Sequence, residues 1–210
     1  MSEAAVKTTH LPIWLPQPET RGGLPLLSAF GQRRSVRAFA DIPISVETQS
    51  NLLWAAFGIN RSMTGDRTAP YWRHVTVIDI YVARADGVWL YEPKENILRP
   101  CSDSDIRAET GRQDLVAGAP LELIYVAHGE RMDVPPEECR LYASVDAAFI
   151  GENVYLFCAS EGLGTVFRGS FDGMKLAKLL GLGEGQFVTF VQTVGYRACR
   201  AAAGAESPKV

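Results

Sequence analysis

The chain is organised around the stretch Arg33-Arg34-Ser35-Val36-Arg37-Ala38-Phe39, which gathers three guanidinium groups and a hydroxyl and then turns apolar. Arginine stays charged at any working pH, and its rigid fork of donors matches the oxygens of a phosphate. The apolar Phe39 and the turn Asp41-Ile42-Pro43 indicate that the basic cluster sits on a folded framework. Taken alone, such a cluster is more often a solvated surface or a set of ion pairs than an anion-binding site.

The composition is that of one globular domain with a slight acidic excess. A chain of 210 residues, 47% of them hydrophobic, can bury one sizeable core. The net charge of −3 gives no reason to expect nucleic-acid binding, so a basic cluster on this background predicts a small anion. No apolar run approaches the roughly 20 residues of a membrane span, and the N-terminus lacks a signal pattern. We therefore expect a soluble cytoplasmic protein without membrane contact, or an exported one if a signal segment preceded Met1.

The sequence argues against several kinds of catalytic site. The histidines His10, His74 and His128 are scattered without metal-ligand spacing, and the four cysteines form no CxxC motif, so no metal is expected. Residues 169–173 do not form a GxSxG elbow, and the glycine-rich stretch 181–185 follows a helix, the wrong order for a dinucleotide loop. These exclusions favour a phosphorylated cofactor that carries its own chemistry while the protein binds and tunes it.

Helices and strands are predicted in mixed order. Apolar periodicity and capping residues predict helices over 24–32, 46–57, 141–161 and 174–180. Runs of β-branched residues and turn signals predict strands over 75–83, 88–91, 120–127, 163–167 and 186–196. Residues 141–161 are apolar on nearly every face, which is typical of a centrally buried helix. Because strands and helices do not alternate strictly, the fold class is predicted to be α+β.

The chain divides into an arm, a domain and a tail. Residues 1–24 are rich in proline and are predicted to form an extended arm whose apolar residues need a surface to lie on. Residues 25–200 are the predicted domain and 201–210 a flexible tail. Within the domain, 58–70 is predicted to be a long polar loop of the kind that usually carries function, and 100–111 to be irregular or briefly helical.

Four short motifs resemble those of the nitroreductase family of FMN-dependent oxidoreductases. They are Arg33–Phe39, Leu53–Arg61 with Arg67–Pro70, Glu152–Gly164 and Val194–Tyr196. Each motif alone is modest, but all four occur in order within residues 25–200. The pair WAAFGINR and RTAP is most similar to the branch that includes the thiazole- and oxazole-forming peptide dehydrogenases.

The resemblance implies an α+β fold with a central, mostly antiparallel sheet flanked by helices, assembled as an intertwined homodimer with two FMN sites at the subunit interface. It also implies which residues hold the cofactor, whose phosphate carries a charge of about −1.5 to −2. The implied contacts are Arg33, Arg34, Ser35 and Arg37 on the phosphate and ribityl chain; Arg67, Ala69 and Tyr71 on the flavin ring from the partner subunit; the backbone N–H groups of Arg168, Gly169 and Ser170 at the flavin N5/O4 edge; and Arg197 with Arg200 at the phosphate.

The implied chemistry is ping-pong hydride transfer, in which NAD(P)H reduces FMN and a small electron-poor acceptor such as a nitroaromatic or a quinone takes the electrons. No catalytic side chain is required, and a positive charge from Arg67 or Arg168 would stabilise the reduced ring. Tyr71 and Trp72 are predicted to line the substrate face, where they replace the small residues expected in this branch. Three alternatives remain open: an FMN-binding protein without NAD(P)H turnover, a flavin-dependent dehydrogenase of a peptide-derived azoline, and a structural domain whose arginines form ion pairs.

Overall fold

The computed structural model describes residues 8–113 and 118–198. The helices are Leu26–Gln32 (α1), Val46–Phe57 (α2), Pro136–Ser160 (α3) and Gly173–Leu179 (α4), with single 3-10 turns at Trp72–His74, Arg107–Thr110 and Gly129–Arg131. The strands are Ile13–Trp14 (β1), Ile59–Arg61 (β2), Asp66–Arg67 (β3), Ile78–Arg84 (β4), Gly87–Glu92 (β5), Ile97–Ser102 (β6), Leu121–His128 (β7), Leu163–Arg168 (β8) and Gln186–Tyr196 (β9).

Most of the described strands form one antiparallel sheet in the order β1-β6-β5-β4-β7-β9-β8. Strand β7 lies inside the sheet, and all eight of its residues are buried. Its alternate side chains serve two cores: Leu123 and Tyr125 contact the core that includes residues of α2 and α3, whereas Ile124 and Val126 contact the core that includes Leu176 of α4. A sheet covered by helices on both faces confirms the predicted α+β fold.

Helix α2 has the predicted boundaries, but the glycine that follows it is required for a different reason than expected. The Ser45 side chain accepts a hydrogen bond from the backbone N–H of Thr48, as an N-cap should. Gly58 follows the last residue with a φ of −71°, so the left-handed conformation expected of a C-terminal glycine is absent there. A Cβ at Gly58 would come within 2.5 Å of the Trp54 side chain. Glycine is therefore required by the close approach of Trp54.

Two stretches predicted as irregular contain strands. Residues 58–70 form the β2–β3 hairpin, in which the carboxylate of Asp66 accepts hydrogen bonds from Arg61 Nε (3.3 Å) and Thr64 Oγ1 (2.7 Å). Strand β6 includes Pro100, which pairs with Trp89 of β5 on its inner side. Its outer neighbour, β1, pairs only with Ile97 and Leu98, so the missing N–H of Pro100 removes no ladder bond on that side. The predicted brief helix in this region corresponds to the turn Arg107–Thr110.

Helix α3 is longer and less buried than predicted. It begins at Pro136, where proline needs no N–H partner and its fixed φ suits a first helical turn. Leu141, Val145 and Phe149, spaced four residues apart, are 58%, 42% and 47% exposed. The prediction of a centrally buried helix is therefore wrong for this face. Within residues 8–113 and 118–198, no helix is both long and apolar enough to cross a bilayer.

Candidate functional site

The basic segment Arg33–Arg37 lies along the open edge of the sheet, where β8 has no outer neighbour among the described strands. The backbone N–H of Val36 donates to the carbonyl of Thr165 (2.9 Å). Further on, the N–H of Ala40 donates to Tyr196 and Phe39 bridges Arg197, so the segment also pairs with the end of β9. These backbone bonds place the predicted phosphate contacts of the N-terminal motif beside Arg197.

The arginines of this edge lack acidic partners. Arg34 and Arg37 are exposed, Arg33 is half-buried, and none of them has a carboxylate within 4 Å in the described part of the chain. Arg197 likewise forms no ion pair there, and its Nε donates to the carbonyl of Leu163 (3.0 Å). Uncompensated charge concentrated on one edge favours an anionic ligand. Arg200, the remaining predicted phosphate contact, lies outside the described residues.

The β8 edge also directs backbone donors outward. The Thr165 carbonyl faces the basic segment, and two residues later the Phe167 N–H donates to the Tyr155 hydroxyl (3.0 Å). Gly169 follows the end of β8, two residues after Phe167. A Cβ at Gly169 would lie 3.4 Å from Phe190, an ordinary contact. The packing of this chain therefore does not itself require glycine at 169.

Arg168 turns its side chain away from this edge and into the interior. Its Nη2 donates to Glu122 Oε2 (2.6 Å) and to Thr193 Oγ1 (2.9 Å), and its Nη1 donates to the carbonyl of Thr110 (2.9 Å). Burial raises the pKa of Glu122 to about 7, and the Arg168 guanidinium opposes that rise. This network ties the start of the turn at 168–170 to β7, β9 and the turn Arg107–Thr110. Only the backbone of Arg168 is left for the open edge.

The loop predicted to line a flavin contacts helices of its own chain. The guanidinium of Arg67 lies over the Phe57 ring (5.3 Å) and Nη1 donates to the Phe57 carbonyl (3.4 Å), while Arg67 Nε is buried without a partner in the described structure. Burial lowers the pKa of Arg67. Ala69 is buried, and the Tyr71 hydroxyl donates to Asp66 Oδ1 (2.9 Å). No hydrogen bond or ion pair among residues 8–113 and 118–198 joins this loop to Arg33–Arg37.

Trp72 is held against helix α3. Its ring stacks on that of Tyr142 (6.1 Å between centroids), and its backbone N–H donates to Asp146 Oδ2 (3.0 Å). Burial raises the pKa of Asp146 to about 6. The next two residues, Arg73 and His74, have left-handed φ values of 45° and 58°. Such strain persists only where flanking contacts fix the backbone, as the Trp72 contacts do here.

Tyr155 of α3 was not among the predicted site residues. Its hydroxyl lies 2.8 Å from Ser35 Oγ as well as 3.0 Å from the Phe167 nitrogen, and its ring lies below the Arg33 guanidinium at 5.3 Å. The two hydrogen-bond partners of its hydroxyl, Ser35 and Phe167, are 120 and 12 residues away along the chain. Helical periodicity assigns Tyr155 to a helix but cannot show which strand edge its hydroxyl reaches.

The structure is that of an α+β protein with an antiparallel sheet flanked by helices and a positively charged open edge, a charge distribution that favours an anion. Residues 31–196 match the family described as "Nitroreductase family". The chain belongs to this family, which confirms the resemblance seen in the sequence and identifies an oxidoreductase.

Individual relatives agree with this assignment. A protein of Methanocaldococcus jannaschii named as a nitroreductase is 30% identical over 164 residues, which cover 73% of this chain and 82% of the relative. A crystal structure from Ralstonia eutropha, also named as a nitroreductase, has a TM-score of 0.87 and 41% identity, with 93% of each chain covered. The Escherichia coli microcin synthetase McbBCD complex contains a chain with a TM-score of 0.69 at 18% identity, covering 88% of this chain and 78% of that one, a likeness of fold alone.

Proposed function

We propose that this protein is an FMN-dependent oxidoreductase that takes a hydride from NAD(P)H and passes the electrons to a small electron-poor acceptor such as a quinone or nitroaromatic. The observation that carries the proposal is the set of unpaired arginines, Arg33, Arg34, Arg37 and Arg197, beside the open edge of β8. A phosphate with a charge of about −1.5 to −2 is the ligand that such a cluster suits.

The residues of this edge suit both ends of FMN. The arginines and the exposed Ser35 hydroxyl would hold the phosphate and ribityl chain, while the backbone N–H groups of Gly169 and Ser170, which follow β8 directly, would meet the edge of the flavin ring. The packing of the chain tolerates a Cβ at Gly169, so a close approach of the flavin ring to this backbone would be a reason for glycine there. The flavin, when bound, supplies the hydride chemistry.

We also propose that two copies of the chain form the complete site. The exposed stripe Leu141, Val145 and Phe149 lies on α3, which packs against α1 with its own exposed Leu27 and Phe30. An apolar surface of this kind on a monomer is typical of an interaction site. Such a dimer would let the loop Arg67–Tyr71 serve the partner's flavin, which would explain why no contact joins that loop to the basic segment of its own chain.

The chain's own residues would act by binding and by electrostatics. Because Arg168 is enclosed with Glu122, Arg67 is the better candidate for a charge near the flavin pyrimidine. Tyr71 contacts Asp66 and Trp72 contacts Tyr142, so both rings would be held in fixed positions if they line the substrate face.

The test is anaerobic reduction of the purified full chain loaded with FMN. We expect a yellow protein whose flavin absorbance is bleached by NADH or NADPH and restored by a quinone. A yellow protein that neither nucleotide bleaches would support an inactive binder. A protein that stays colourless after addition of FMN and removal of the excess would refute the proposal.

A further inference from the structure

The hydroxyl of Tyr155 joins two segments that are otherwise separate in sequence. It lies 2.8 Å from Ser35 Oγ in the basic segment and 3.0 Å from the backbone nitrogen of Phe167 in β8. Both segments belong to the proposed FMN site, one at the phosphate and one leading to the flavin ring. The Tyr155 ring, in contrast, packs below Arg33, so the hydroxyl can be removed without removing that contact.

The direction of these hydrogen bonds follows from which groups can donate. A backbone N–H can only donate, so the Tyr155 oxygen accepts from Phe167. A phenol carries one proton, and the second close partner of the Tyr155 oxygen is Ser35 Oγ. The described structure gives the Tyr155 proton no other acceptor, so donation from Tyr155 to Ser35 Oγ is the direction that satisfies the phenol. The proton of Ser35 is then free to point away from Tyr155, and Ser35 is exposed, as are Arg34 and Arg37.

We infer that Tyr155 is a positioning residue that orients the Ser35 hydroxyl to donate to the phosphate of the bound cofactor. The inference rests on the proposed function, because it assigns the phosphate of FMN as the anion. It adds a residue of α3 that touches no cofactor atom in this assignment and acts through Ser35. A hydroxyl whose rotor is already fixed loses less freedom on binding than one that rotates in water, so the gain should appear as phosphate affinity.

A purely structural role for the hydroxyl predicts a different outcome. If Tyr155 served only to cover the edge N–H of Phe167, its loss would loosen β8 and weaken every ligand that binds along that edge. Riboflavin separates the two roles, because it has the same ring and ribityl chain as FMN but no phosphate. The positioning role predicts a loss confined to FMN.

The experiment compares Tyr155→Phe with wild type in the full chain, with dissociation constants for FMN and riboflavin measured by flavin fluorescence. Tyr142→Phe is the matched control, since it removes a hydroxyl from the same helix whose only described partner is Glu138 at 3.4 Å. We expect FMN affinity to fall about three- to tenfold in Tyr155→Phe and about tenfold in Ser35→Ala. Riboflavin affinity should be unchanged in both, and the double variant Tyr155→Phe with Ser35→Ala should match Ser35→Ala alone.

Equal losses for FMN and riboflavin, no loss for either, or additive losses in the double variant would overturn the positioning role. Inorganic phosphate, measured by calorimetry on the same proteins, separates this inference from the proposed function. If the wild type binds phosphate but no flavin, and phosphate binding weakens in Tyr155→Phe, the FMN assignment is refuted but the role of Tyr155 toward Ser35 stands. A wild type that binds neither flavin nor phosphate would overturn both.

Discussion

Replacement of Gly169 by alanine should weaken flavin binding while leaving the apo protein at least as stable. The added Cβ would lie 3.4 and 3.6 Å from Phe190 Cε1 and Cδ1, which is ordinary contact, and Gly169 does not have a left-handed φ. A compatible Gly→Ala change usually stabilises by about 0.4–1 kcal/mol, because the unfolded chain loses freedom. An extra methyl at a close contact with the flavin ring should cost about 1–3 kcal/mol, or about five- to 150-fold in affinity.

Two measurements on each variant test this prediction. Urea unfolding of the apo protein gives the free energy of unfolding, and fluorescence titration gives the dissociation constants of FMN and riboflavin. Both ligands should lose affinity equally, because the contact is with the ring. Gly151→Ala is the contrasting variant: its Cβ would come within 2.6 Å of the Phe167 ring, so it should lower the stability of the apo protein. A folded Gly169→Ala protein that binds both flavins as wild type does would refute the placement of the ring at this edge.

Three further predictions concern charge, pH and assembly. Arg33→Ala and Arg37→Ala should each lower FMN affinity about tenfold to a hundredfold while changing apo stability by no more than about 1 kcal/mol. Arg99→Ala is the control, because its guanidinium pairs with a glutamate, and equal FMN retention in all three variants would contradict the phosphate assignment. Because the folded-state pKa of Asp146 is raised to about 6, its contribution to the free energy of unfolding is full below about pH 4 and is lost as the pH rises through about 6. In urea unfolding between about pH 4 and 7, the wild type should therefore lose up to about 3 kcal/mol relative to Asp146→Asn, and parallel pH profiles would contradict this. Phe149→Asp should convert the proposed dimer to monomer in light scattering, and an unchanged mass would exclude this face as the interface.

The sequence predicted local features well where one short stretch contains its own determinants. Ser45 caps α2 because its side chain reaches a backbone N–H three residues away, and β9 has the predicted boundaries because a long β-branched run needs few partners to be recognised. The glycine-rich stretch 181–185 proved to be the connection between α4 and β9, as its position after a helix predicted. The family assignment also succeeded, since it depended on several motifs in order.

Features that depend on distant contacts could not be predicted in the same way. The charge of Arg168 made it a candidate for the flavin, and only the fold shows that its guanidinium is enclosed with Glu122 of another strand. Residues 100–111 were predicted to be irregular or briefly helical, but Pro100 belongs to β6, where the short reach of β1 leaves its outer side without a ladder partner. The apolar face of α3 looked like core because sequence cannot distinguish a surface covered by its own domain from one left exposed.

Helix α3 carries the exposed stripe in its first half and middle and Tyr155 near its end, on a rod of 25 residues that is roughly 37 Å long. Substitutions in the apolar stripe that change how copies associate would therefore also shift Tyr155 and its contact with Ser35. Variants selected for a new quaternary structure should be screened for cofactor loss at the same time, because a shift of one part of a stiff helix also displaces the other.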